Sequence, residues 1–252
     1  MIEPITETIT KEALMSSKPV RVAAVATVLA AVPFALASPA SAAVVQHGPP
    51  PAKGLVGAKR GADAALTQYA RRLGTIEARE AASKTIDATD LGLLQTATGA
   101  EATAIVTDRA AVAAATTIAA VRSAVESGRT SLSAAVLDWQ VVVAADRVEA
   151  RDASLVTEET ALAAEASADS SAGKTVPPTV SVALSGIDTE TTSSESSASA
   201  AVTAVTSLAA APAPSSVRAA RLSAVGDLGA SRQDLAAALH DASVAIQLLA
   251  TL

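Results

Sequence analysis

Cysteine and asparagine are absent from the chain, histidine occurs twice, and only three aromatic residues are present: Phe34, Tyr69 and Trp139. Each shortage removes a class of chemistry. Without cysteine there are no disulfides and no lipid-modified cysteine anchor. With His47 in a Pro-rich stretch, His240 directly after Leu239, and no His-x-x-x-His or Glu-x-x-His spacing, zinc and di-iron sites have no visible ligands. His240 reads as a helix-surface residue. Serine is abundant, yet no Gly-x-Ser-x-Gly elbow holds one in a strained turn. Neither a Gly-x-x-x-x-Gly-Lys phosphate loop nor a dinucleotide fingerprint is present.

Carboxylate pairs are the remaining catalytic candidates: Glu77 with Glu80, Asp87 with Asp90, and Glu158 beside Glu159. Glycoside hydrolysis needs two carboxyls set across a cleft, and such clefts usually offer aromatic faces to sugars. Two aromatics beyond the leader do not furnish one, so these pairs read as solvated helix faces. No catalytic, cofactor-binding or metal-binding residue is assigned, and the chain reads as a non-enzyme without cofactor.

What the chain does contain is alanine and valine, which carry its positive mean hydropathy. Alanine has no side-chain rotamers to lose and is the best helix former, but it buries little area. Long, closely packed helices suit this composition better than a globular α/β core. The expected fold is therefore all-α: alanine-rich long helices in a hairpin or small bundle with coiled-coil-like seams, plus disordered spacer and linker segments.

The formal net charge is −6, which argues against nucleic-acid binding. The charge is uneven. Residues 43–79 carry Lys53, Lys59, Arg60, Arg71, Arg72 and Arg79 against Asp63 and Glu77, a local +4, while residues 80–252 stand at −10. A solvated helix face is the plain reading of this asymmetry, and direction of one end toward an anionic surface is the sharper one.

At the N-terminus, Lys18-Pro-Val-Arg21 precedes an apolar run from Val22 to Ala37, followed by Ala40-Ser41-Ala42. These are the three parts of a secretory signal peptide over residues 1–42, with Ala40 and Ala42 before the cut and Ala43 as the mature N-terminus. The run is shorter than a membrane span of about 20 residues and contains Pro33, so no stable membrane span is expected after processing. No arginine pair precedes it, which points to the general secretory route. Met15 offers an alternative start.

Residues 43–58, with Gly48-Pro49-Pro50-Pro51, read as an extended spacer. A helical domain is expected over 59–169. Leu66, Tyr69, Leu73 and Ile76 form a helix stripe, and Ile118, Val125, Leu132 and Trp139 recur every seven residues. Gly99 and Gly128 are candidate breaks. Ser127-Gly128-Arg129-Thr130-Ser131 has the look of a stop followed by a new cap, which points to a hairpin at Gly128, the alternative being one helix through it. Residues 170–216 read as a Ser/Thr/Pro linker. Residues 217–252 read as a C-terminal helical segment, interrupted at Gly226 and Gly229, with a restart at Ser231-Arg-Gln-Asp234. Its packing seam is expected along Val225, Leu228, Arg232, Leu235, Leu239, Ala242, Ile246 and Leu249, with Leu235, Leu239, Ile246 and Leu249 at its centre.

These features point to a secreted, non-enzymatic protein of the bacterial cell envelope or extracellular space, acting as a spacer or interaction module. Its partner is an envelope protein not specified by the sequence, or a second copy. Two other readings share the same features. One is the helical accessory region of a secreted peptidoglycan hydrolase: the order of signal peptide, alanine-rich helices and linker is similar in architecture to actinobacterial wall hydrolases. No NlpC/P60-type Cys and His motif is matched, so no residue carries over. The other is an amphipathic lipid-binding protein.

Overall fold

Alanine-rich segments in which apolar residues return every three or four positions fold here as five α-helices. The computed structural model describes residues 54–252. The signal-peptidase residues Ala40, Ala42 and Ala43, together with Met15, His47 and the spacer up to residue 53, lie outside the described residues. The helices are α1 (Leu55–Ala82), α2 (Ala88–Ala114), α3 (Ile118–Ser171), α4 (Pro178–Thr206) and α5 (Pro214–Leu249). No strand occurs among the described residues, so the all-α expectation holds. No described helix is long and apolar enough to cross a membrane.

Local chemistry sets the boundaries. The Asp87 carboxylate accepts from Thr89 N–H at 2.7 Å and caps α2, and the Thr117 hydroxyl accepts from Ala120 N–H at 3.2 Å and caps α3. α4 and α5 each open on a proline, whose fixed φ and missing N–H suit the first helical turn. Gly173, at φ 79°, takes the left-handed conformation just beyond α3.

With 54 residues, α3 is about 80 Å long and serves as a shared axis. Its first half packs against the antiparallel pair α1 and α2, through Leu66, Leu73, Ile76, Ile105, Val112, Val121, Leu132 and Ala135. Its second half packs against the antiparallel pair α4 and α5, through Val148, Leu155, Leu162, Val180, Ile187, Leu235 and Leu249. Between Thr130 and Val148 the ends of both pairs meet α3. Ala134, Leu137, Val141, Val142, Ala144 and Ala145 are buried on every side of it there. A helix segment buried all round needs small, apolar residues, and this stretch supplies them.

Three expectations are corrected. Gly128 is not a turn: α3 runs through it, because the missing side chain makes room for Leu66 of α1, whose methyl a Cβ would overlap. Gly99, Gly226 and Gly229 likewise lie within helices, and Ser231 is a buried residue of α5 rather than a restart.

The segment 170–216 is not a linker throughout. Most of it is α4, whose Val180, Ala183, Ile187, Thr191, Ser194, Ala198, Ala201 and Val205 form a buried stripe in steps of three and four. Several of its hydroxyls bond within the helix, where Thr189 and Thr191 each donate at 2.8 Å to the carbonyl four residues back, and Ser193 donates across to Asp234 of α5 at 2.8 Å. A broad-specificity protease is accordingly expected to cut first at the turns 172–177 and 207–213 and to spare α4. First cuts between residues 180 and 205 would contradict this packing.

The terminal seam is displaced by one residue at alternate positions. Leu228, Leu235, Ala242 and Leu249 are buried as expected, but the others are Ala224, Ser231, Ala238 and Ala245, not Val225, Arg232, Leu239 and Ile246. The buried stripe thus combines large and small side chains. Leu239 and Ile246 pack at the edge, partly buried.

Candidate functional site

The stripe Leu66, Tyr69, Leu73, Ile76 continues by four residues to Glu80, and that carboxylate is 2% exposed. The same arithmetic applies on the neighbouring helices. On α2 the inward positions Leu94, Thr98, Glu101, Ile105, Asp108 and Val112 step by four and three. On α3 they are Val121, Ala124, Gly128, Ser131, Ala135, Asp138, Val142, Ala145, Glu149 and Asp152. Acids and hydroxyls thus occupy core positions, and the antiparallel arrangement gathers them into layers.

The first layer joins Glu80 and Thr98, whose hydroxyl donates to Glu80 Oε1 at 2.7 Å, with Glu101, Ser131 and Asp138, all of them buried. Among the described residues no basic side chain acts on the three acids. Asp138 Oδ1 has no hydrogen-bond partner. Burial pushes the Asp138 carboxyl up to about 8, with the charges of Glu101 and Glu80 adding to the rise. Burial also raises Glu80, opposed by the Thr98 hydroxyl and reinforced by Glu77. Glu101 is raised for the same reason, opposed by the facing Ser131 hydroxyl and Ala211 backbone amide and reinforced by Asp108.

The second layer crosses the other half of α3. Ser194 Oγ of α4 donates to Asp152 Oδ2 at 2.8 Å and lies 3.2 Å from Ser231 Oγ of α5. Burial raises Asp152 to about 6; the Ser194 hydroxyl opposes this, and Glu195 and Asp234 add to it. Between the layers, burial raises Glu149 to about 7, helped by Asp90, Asp146, Glu195 and Asp87. Burial raises Asp146 as well, against contacts from the Asp87 backbone, the Thr85 hydroxyl and Arg147. Burial thus raises the carboxyls along the interior, with Asp138, Glu149 and Asp152 carried well above the ordinary carboxylate range.

A shallow groove of about 300 Å³ lies beside the first layer, between α3 and the first turns of α5. It is lined by Glu126, Arg129, Thr130, Ser133, Pro214, Val217, Arg218 and Arg221, with Arg129 paired to Glu126.

Of the carboxylate pairs considered from the sequence, Glu77 and Asp87 are exposed, Asp90, Glu158 and Glu159 are partly buried, and Glu80 is in the core. The reading of Glu80 as solvated is thus corrected. The signal was its place on the stripe, which outranks its charge. His240 is exposed on α5. Among the described residues no group of three His, Cys, Asp or Glu side chains is placed to hold a metal ion. No family model, curated protein or solved structure matches the chain.

Proposed function

We propose that this chain is a secreted, non-enzymatic helical protein of the bacterial cell envelope or extracellular space, acting as a spacer and interaction module. The observation that supports the reading most is α3, a 54-residue helix clasped in succession by two antiparallel helix pairs. Helices packed along a common axis hold their ends at a fixed separation, because each turn is braced by side chains from two neighbours. Large apolar residues stay exposed at points far apart in the chain: Val106 at 66%, Val182 at 70% and Leu222 at 66%. Such residues suit contacts with other envelope components.

The test has three readouts. Intact mass of the exported protein is expected to place its N-terminus at Ala43. Photo-cross-linking residues at positions 106, 182 and 222 are expected to capture a defined envelope component, or a second copy, in intact cells. Purified protein is expected to leave cell-wall polymer undigested. Cytoplasmic recovery with residues 1–42 attached, absence of cross-links from all three positions, or wall hydrolysis would each defeat the reading.

A further inference from the structure

From residue 196 to residue 226 the only charged side chains are Arg218 and Arg221, although the whole chain is acidic at −6. They stand three apart on α5, which makes them neighbours on one helix face. Both line the groove of about 300 Å³ between α3 and the start of α5, and Arg129 of α3 lines it with them.

We propose that this groove is a binding site for a phosphate monoester, held by Arg218, Arg221 and Arg129 against the apolar surface of Pro214 and Val217.

Charge decides the class of ligand. Three arginines against the one acid, Glu126, leave the groove at net +2. Among the described residues no carboxylate pairs with Arg218 or Arg221, whereas Arg109 is paired with Asp63 and Lys174 with Asp169. The third guanidinium, of Arg129, is paired with Glu126, but both side chains are more than half exposed. A pair so wet is worth little, so Arg129 turns to a stronger acceptor at small cost. A phosphate monoester carries close to two negative charges at neutral pH and three acceptor oxygens, which match the net charge and the forked guanidinium donors. A single carboxylate answers only half of that charge.

The remaining lining fits the same ligand. Thr130 and Ser133 already donate to the Glu126 and Arg129 carbonyls at 2.9 Å each, so the donors left for an anion are the arginines. α5 begins at Pro214 with no side-chain cap and no acid in its first turn, which places the positive end of its dipole at one end of the groove uncompensated. Pro214, Val217 and the arginine stems offer apolar surface to the organic part of the ester. The volume stands at the small end of ligand pockets, which suits one ring or a short chain.

The same phosphate group is presented by a small soluble ester and by the headgroup of phosphatidic acid, and two probes separate these sources. Phenyl phosphate is titrated calorimetrically into the full chain at low salt, and the chain is co-sedimented with phosphatidylcholine vesicles containing phosphatidic acid. Saturable binding is expected to at least one probe: phenyl phosphate assigns a soluble ester, vesicles alone a headgroup. Arg218→Gln and Arg221→Gln are each expected to weaken it about tenfold or more, the loss of a hydrogen bond to a charged group. Arg218 is exposed and Arg221 partly exposed, so both variants keep the fold, which circular dichroism checks. Glu126→Gln removes the competing carboxylate and should tighten binding. Arg60→Gln removes the same charge from an exposed position on α1 and should change nothing. Benzenesulfonate, the same ring with one negative charge, should bind more weakly than phenyl phosphate. The proposal is overturned if neither probe binds, if binding survives both arginine variants, if Arg60→Gln weakens it equally, or if benzenesulfonate binds as tightly as phenyl phosphate.

Discussion

The unfolding free energy of this protein is expected to fall as pH rises from about 5 to about 9, by several kcal/mol in total. Asp138, Glu149 and Asp152 titrate near 8, 7 and 6 in the fold, above the ordinary range that they recover on unfolding. The folded state thus binds more protons than the unfolded state between about pH 4 and about pH 8, and stability must decline with pH across that window. Below it, all three carboxyls are protonated in both states and the stabilisation is complete. Above it, all are ionised in both states and the full cost of burying them is felt.

Most of this effect belongs to Asp138, which is 1% exposed. Replacing it with asparagine keeps the shape and removes the charge. Asp138→Asn should leave stability at about pH 5 nearly unchanged and raise it at about pH 9 by an amount on the order of 3 kcal/mol. Urea denaturation across this pH range is the measurement. A wild-type stability that rises with pH, or a variant whose pH profile parallels that of the wild type, would show that the buried acids do not behave as their surroundings dictate.

The second large effect is expected at Gly128. Its missing side chain admits Leu66, which is fully buried, with Asp108 and Tyr69 next to the same point. Gly128→Val adds three carbons where there is no room, and overpacking of this kind costs about 1–3 kcal/mol, or a fall in melting temperature of roughly 2–12 °C for a domain of this size. Gly128→Ala should be milder, because a gain of about 1 kcal/mol in helix propensity offsets part of the displacement of Leu66. Gly99 and Gly226 make a clean comparison, since nothing lies within 4 Å of a Cβ built at either position. Alanine there should raise the melting temperature. If Gly128→Val is tolerated as well as Gly99→Ala, the close approach of α1 and α3 at this point is wrong.

The helical class and several boundaries were legible in the chain itself. Alanine content and three-four spacing are local properties, because each acts through its own stretch of backbone. The stripe on α1 was read correctly as far as Ile76, and half of the α5 seam was placed correctly at Leu228, Leu235, Ala242 and Leu249.

What the chain did not disclose depends on how near the partner helix comes. Whether Ala238 or Leu239 is the buried residue turns on one residue of rotation, and it is Ala238 that is fully buried while Leu239 packs at the edge. Gly128 has one meaning as a break and another as a cavity for Leu66, and only the position of α1 chooses between them. Composition misled at α4, whose serines and threonines read as linker although Thr189 and Thr191 bond to the helix's own carbonyls and Ser193 and Ser194 bond to carboxylates of the neighbouring helices. Glu80, Glu101 and Asp138 look like surface residues by charge and like core residues by spacing. Spacing prevails because a helix presents every seam position to its neighbours, and burial answers by raising all three carboxyls, Asp138 furthest, to about 8.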